Sequence, residues 1–284
     1  MLFRSATVLT NVDVDHLDEH GSFDGIVESF DAYLDQVHGT KVVCADDPAA
    51  RALAEKCGAI TYGITDASSA QQRGPSPDWL ATDLRFVEGA SEFTVVGRGE
   101  RHAVRLPLRG AHNVRNFLAA FAMAREHDVD PAVAIAAVRD FAGVHRRFQV
   151  RAHDGGATFV DDYAHLPAEI AAVLAAVRAE PVERRRGIAV FQPNRFNRMA
   201  VMSDAYRDAF VDAFVAAAQD HEMIERGPIA RRVLRETRPL RRGEHDLEPG
   251  RSRVARAEPE RLEGAHDGLD LHDHARDRKS TRLN

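Results

Sequence analysis

The stretch Thr40-Lys41-Val42-Val43-Cys44-Ala45-Asp46-Asp47-Pro48, continuing through Ala49–Cys57 to Gly58 and Ala59-Ile60-Thr61-Tyr62, decides the fold class. Its β-branched opening, Thr40–Ala45, reads as a strand. Asp46-Asp47-Pro48 is a helix start, with proline in the first turn and acids near the positive end of the helix dipole. Ala49–Cys57 is the helix, Gly58 stops it, and Ala59–Tyr62 is the next strand. A strand–helix–strand unit of this length implies parallel pairing and an α/β fold.

Working outward, Ala6–Val12 (ATVLTNV) reads as an earlier strand entering the acidic loop Asp13–Asp18. Ser22 caps a helix whose Phe23, Ile26, Val27, Phe30, Leu34 and Val37 recur at helical spacing. Downstream, Ala67–Asp78 is loop material. Ala81–Glu88, Glu92–Val96 and His102–Leu108 read as an antiparallel meander. Gly110-Ala111-His112-Asn113 opens a helix over Val114–Glu126, and a second runs over about Pro131–Phe141. Gly143–Arg147 reads as a hinge. Beyond it a second α/β rhythm begins: strands at Arg147–Ala152 and Ala157–Val160, a helix at Pro167–Arg178, a buried parallel strand at Gly187–Gln192, and a helix at Ser203–Phe214. From Val215 to Asn284 there is no Phe, Tyr or Trp, and Arg and acidic residues alternate without an apolar period. Such composition cannot offset its ordering entropy. A frameshifted or chimeric reading frame would also produce it. The expected units are residues 1–143, residues 144–214, and a low-order or frameshifted tail at 215–284.

Composition narrows the function classes. The 284 residues carry a formal charge of −6, so no overall basic field is available to hold nucleic acid. No apolar run approaches a membrane span, and Met1–Gly21 lacks a secretory pattern. Cys44 and Cys57 read as buried or incidental thiols in a reducing compartment. A cytoplasmic enzyme fits. The phosphate-cradling pattern G-x-x-x-x-G-K-[ST] is absent from these 284 residues, as are CxxC and HExxH. Gly97-Arg98-Gly99 lacks the third glycine of a dinucleotide fingerprint.

Several strand exits gather titratable groups. Asp13, Asp15, His16 and Asp18 could hold Mg²⁺, or simply form a solvated acidic turn. Asn113 and Asn116 share a helix face, and their amides can read a purine edge or cap the helix. Arg146 and Arg147 suit planar phosphate contact, though a surface pair beside acids also fits. Asp161, Asp162, Tyr163 and His165 leave a strand just ahead of Pro167, where α/β folds bind ligands. Arg195 and Arg198 are three apart at a helix start, where cations oppose the dipole. That cost favours an anionic partner.

Taken in order, these segments resemble the Mur ligase family. TNVDVDHLDEHG (10–21) resembles that family's TNxxxDHLDxxG segment, GAHNVRNFLAA (110–120) its GxHNxxNxxAA helix, and DDYAHLPAEI (161–170) its DDYxHxPxE segment. RRFQ (146–149) and FQPNRFNR (191–198) point to the branch that adds L-alanine. The resemblance spans about residues 5–214. It implies a partial P-loop-type central ATPase domain followed by a truncated Rossmann-like domain, with the UDP-sugar domain, the P-loop lysine and the following acidic Mg²⁺ ligand outside this sequence. It implies ATP and Mg²⁺ as cofactors, and UDP-N-acetylmuramate and L-alanine as substrates joined through an acyl phosphate. By the same resemblance, His16 lies on the Mg²⁺ side and His112, Asn113 and Asn116 on the adenine side. Arg147 and Asp162 reach the nucleotide, and His165, Arg195 and Arg198 face the acyl phosphate or amino acid. His165 and Arg147 are the implied catalytic pair. Leu166 and Asn194 depart from the L-alanine branch, which commonly has histidine at both positions. A tripeptide-recycling ligase or another Mur relative, and a nucleotide-binding remnant without activity, are the alternatives.

Overall fold

The computed structural model describes residues 5–15, 17–64, 75–154, 157–179, 187–193, 196–211, 213, 215–218 and 253–254. Six strands form one sheet in sequential order: β1 (Ala6–Leu9), β2 (Thr40–Cys44), β3 (Ile60–Ile64), β4 (Trp79–Val87), β5 (Ala90–Gly97) and β6 (Glu100–Leu106). The pairs from β1 to β4 are parallel, and β4–β5–β6 is the antiparallel meander. The meander joins the parallel strands edge to edge, giving one mixed sheet.

Local chemistry sets the helices. After the short α1 (Leu17–His20), α2 (Phe23–Asp35) starts where Ser22 Oγ accepts from Gly25 N at 3.1 Å. In α3 (Pro48–Cys57), Asp47 accepts from Ala50 N at 2.7 Å, and Gly58 ends the helix at φ +63°. Alternation along β2 divides the core. Val43 faces Leu9, Val12, Ile26, Leu34 and Leu53 on the α2/α3 side, whereas Val42 and Cys44 face the opposite cluster. That cluster packs α4 (Ala111–Glu126) and α5 (Pro131–Ala137) on the sheet. Trp79 meets Phe121 edge-on at 5.2 Å, and Phe117 stacks on Phe121 at 5.7 Å.

The second unit holds the hairpin β7 (Gln149–Asp154) and β8 (Ala157–Asp161), helix α6 (Pro167–Arg178), strand β9 (Ile188–Phe191), and helices α7 (Phe196–Val201) and α8 (Ser203–Ala209). β9 pairs in parallel with β10 (Val215–Ala218), which pairs with β11 (Arg253–Val254), so the sheet continues past residue 214. Ile170, Leu174, Tyr206, Ala209 and Ala213 form its core. The expected burial of the strand at Gly187–Gln192 does not hold. Ile188 and Val190 are 62% and 69% exposed, because only the Ala189–Phe191 face packs on the α6/α8 core. Several expected elements stop early: β1 ends at Leu9, α5 at Ala137, and α8 at Ala209. Most of the expected loop at Ala67–Asp78 lies outside the described residues.

The two units meet at the start of α4. Gly110 has φ +86° and ψ 149°, and a Cβ there would lie 2.7 Å from Ala176 Cβ of α6 and 2.8 Å from His112 Cε1. Both the backbone and the space demand glycine. Gly110→Ala is expected to lower unfolding free energy by roughly 1–3 kcal/mol from backbone strain alone. Urea unfolding measures it, and a loss below about 0.5 kcal/mol contradicts the close approach.

Candidate active site

The start of α4 carries the amides and ring read from sequence. Asn113 Nδ2 donates to Arg109 O at 2.8 Å and to His112 Nε2 at 3.1 Å. With Nε2 accepting, the neutral ring carries its proton on Nδ1. That Nδ1 is buried and has no hydrogen-bond partner among the described residues. Burial holds the His112 pKa below the ordinary imidazole value. The Arg115 and Arg147 charges add to this, and Asp162 opposes it. His112 therefore lies within the electrostatic reach of residues from both units. Asn116 is exposed, with Nδ2 3.5 Å from Asn113 Oδ1. Arg115 is anchored by Nε to Asp46 Oδ2 at 2.6 Å, and Asp46 also accepts from Ile64 N.

Across the junction, the chain from Gly143 to Phe148 is contorted. Arg146 and Phe148 hold φ of +56° and +47°, costly for residues with a Cβ. Asp162 fastens this segment. One carboxylate oxygen accepts from Phe148 N at 2.6 Å and the other from Ala164 N at 2.7 Å. Tyr163 N donates to Arg146 O at 2.7 Å. The Arg146 and Arg147 guanidinium carbons lie 4.8 and 5.8 Å from the Tyr163 ring centre. Strain at such a junction is tolerated because these bonds over-determine it.

Glu169, in the first turn of α6, organises the next residues. Its Oε2 accepts from His165 N at 2.8 Å and Leu166 N at 3.1 Å, and its Oε1 lies 3.5 Å from Arg147 Nη1. Burial works against its ionisation. The two backbone N–H groups, with His165 and Arg147, outweigh burial and hold its carboxyl below the usual range. His165 Nδ1 donates to Tyr163 O at 2.9 Å, which leaves Nε2 as the lone-pair nitrogen of the neutral ring.

Arg198, on α7, joins the far end of this line to the first unit. Its Nη2 and Nε lie 2.7 and 3.2 Å from Asp15 Oδ1, and its side chain is only 8% exposed. The anionic partner expected for a cation at this helix start is thus supplied by the protein's own acidic loop. Tyr206, on α8, is 4% exposed and donates to His165 O at 2.6 Å.

The structure therefore brings His112, Arg147, Asp162, His165 and Arg198 along one seam between the units, with Asn113 and Asn116 at its edge. His16, Arg195 and Asn194 lie outside the described residues. The described residues of the acidic loop do not supply a metal cage by themselves. Asp15 is committed to Arg198, Asp13 Oδ1 accepts from Val14 N at 2.7 Å, and no group of three or more metal-binding side chains occurs among the described residues. Sequence reasoning missed Asp46, Arg115, Glu169 and Tyr206. The spacing of Leu166 and Glu169, that of a helix cap and its third residue, could have flagged Glu169. Asp46 and Arg115 are 69 residues apart and carry no local signal.

Residues 3–124 match the family model for the Mur ligase middle domain, and residues 146–259 that for the Mur ligase glutamate ligase domain. The chain is 38% identical over 213 residues to the UDP-N-acetylmuramate–L-alanine ligase of Syntrophotalea carbinolica, covering 72% of this chain and 44% of that protein. It is 35% identical over 257 residues to the protein of the same name from Pelobacter propionicus, covering 87% of this chain and 53% of that one. The chain thus spans about half the length of these curated relatives. The crystal structure of a UDP-N-acetylmuramate–alanine ligase from Thermotoga maritima superposes with a TM-score of 0.61 at 22% identity, over 89% of this chain and 51% of that one. At that identity the likeness is one of fold.

Because its folded pKa is depressed, neutral His112 contributes stability that is present above the unfolded value of about 6.5 and lost as pH falls through the folded value. Proton NMR of the histidine rings is expected to give His112 a midpoint below about 6.5, and a His112→Gln variant to lose part of the stability change over that interval. A His112 midpoint at or above the ordinary value contradicts the buried, neutral ring.

Proposed function

The chain belongs to the Mur ligase family, and we propose that it is the ATPase-side and C-terminal portion of an enzyme that joins L-alanine to UDP-N-acetylmuramate. The observation that carries this reading is the seam itself. A buried, unpartnered ring donor at His112 lies within reach of Asp162 and Arg147 from the other unit, as a nucleotide held between two domains requires. Identities of 35–38% to curated proteins of that name support the choice of substrates. We take residues 1–143 as a partial central unit and residues 144–214 as a partial C-terminal unit. The second sheet and the family match run on beyond residue 214.

In the proposed reaction the lactyl carboxylate of UDP-N-acetylmuramate takes the γ-phosphoryl group of ATP, giving an acyl phosphate and ADP. The amine of L-alanine attacks the acyl carbon, and inorganic phosphate leaves through a tetrahedral intermediate. Most of the catalysis is positioning and charge neutralisation. His112, Asn113 and Asn116 hold the base side of the nucleotide. Asp162, through its two backbone bonds, fixes the loop that aims Arg147 at the phosphates. His165 presents Nε2 toward the acyl phosphate, with Arg195 and Arg198 as the cations around it. An incoming carboxylate or phosphate must compete with Asp15 for Arg198. Mg²⁺ would supply further charge neutralisation, with His16 on its side of the site. The described residues do not complete its ligand set, so no step is assigned to it. A cytoplasmic location, where the nucleotide substrates are made, accompanies this reading. No described helix is long and apolar enough to cross a membrane.

Leu166 and Asn194 depart from the L-alanine branch, where histidine is common, and keep one second reading open: ligation of a tripeptide to the same carboxylate. Phosphate release separates the two. The 284-residue chain, which lacks the phosphate-cradling loop, is expected to release no phosphate above background. Joined to an upstream segment bearing that loop, it is expected to respond to L-alanine at least about tenfold better than to the tripeptide. Turnover by the chain alone, or a preference for the tripeptide, overturns the corresponding part.

A further inference from the structure

We propose that Tyr206 is a positioning residue that fixes His165 relative to Arg198, so that both can meet one anionic group. This rests on the reading of the seam given above and deepens it. No sequence motif and no assigned role covers Tyr206, which reads as one more apolar position of α8. Its surroundings are more specific. The phenol is 4% exposed, and its hydroxyl donates to the His165 carbonyl at 2.6 Å. Its ring stacks on Phe191, the last residue of β9, at 5.6 Å with 30° between planes. Phe191 directly precedes the segment leading to α7 and Arg198.

One side chain therefore links the loop after β8, through its hydroxyl, to the exit of β9, through its ring. The charges of Arg198, Asp15 and Glu169 all act on the phenol. Burial first, then the two carboxylates, push it up to about 12, with Arg198 opposing. It stays a neutral donor at physiological pH. His165 is consequently held at three points: its N–H by Glu169, its Nδ1 by the Tyr163 carbonyl, and its own carbonyl by Tyr206. The first two lie within its own loop and the first turn of α6, which follows it. Of these three, the Tyr206 bond alone ties His165 to the helices that carry Arg198.

Tyr206→Phe keeps the stacked ring and removes only the donor. In the full 284-residue chain, the His165 ring proton signals are expected to move, while those of His102, on the meander strand β6, stay. With inorganic phosphate as the probe, the dissociation constant read from the His165 signal is expected to rise roughly three- to tenfold. Unchanged His165 signals and unchanged phosphate affinity overturn the proposal, even if the melting temperature falls. Should the unmutated chain show no phosphate response, the anion-site reading fails. The His165 signal shift alone then decides the positional role. A measurement without substitution guards against a variant that does not fold. In the chain grown on 3-fluorotyrosine, the Tyr206 resonance is expected to move in step with His165 as phosphate is added. Independent behaviour of the two contradicts the link.

Discussion

A methyl group at residue 110 would collide with Ala176 and with the ring of His112, so the start of α4 reaches α6 only because Gly110 has no side chain. Its positive φ turns the chain sharply from Arg109 into the helix. From this approach follow the burial of the His112 ring, the nearness of Arg147 and Asp162 to it, and the placing of Arg109 over Phe148 at 5.2 Å. Two units that meet this closely at a backbone leave little room for slack there. A small displacement there is felt by every charged group along the seam.

The second tie is electrostatic. Arg198 and Asp15, 183 residues apart, pair at 2.7 Å with most of the guanidinium removed from water. Removing a charge from water costs as much as its partner returns, so such a pair contributes more to specific alignment than to stability. Losing either partner would leave an uncompensated charge in the seam. The same pairing means that Arg198 is already satisfied by the protein. An anion bound there gains only the difference between itself and Asp15, a modest surplus that lets ligand and carboxylate exchange.

Much of the fold was legible because it depends on short-range rules. Asp47, Pro48 and Gly58 bracket α3 as their cap and turn chemistry requires, and the strand–helix–strand order around it fixes the parallel pairing of β2 and β3. Burial of β9 was not legible, since an apolar run cannot reveal whether both of its faces find partners. Of the site, the strand exits and their titratable groups could be read, and their convergence could not. Asp15 reads as an acidic turn or an ion ligand until Arg198 is seen beside it. Glu169 reads as an ordinary first-turn acid until its contacts to His165, Leu166 and Arg147 are seen. Tyr206 reads as an apolar helix position, because its hydroxyl finds its acceptor 41 residues away. Long-range pairing of this kind leaves no periodicity in the chain.

That one nucleotide site spans both units is tested most directly by titrating ADP into the 284-residue chain and following ring signals on each side of the seam. His112 on the first unit and Tyr163 and His165 on the second are expected to move together along one saturable curve at up to about millimolar ADP, while His102 on the meander stays fixed. Movement on one side only, or two curves with different midpoints, would contradict a shared site.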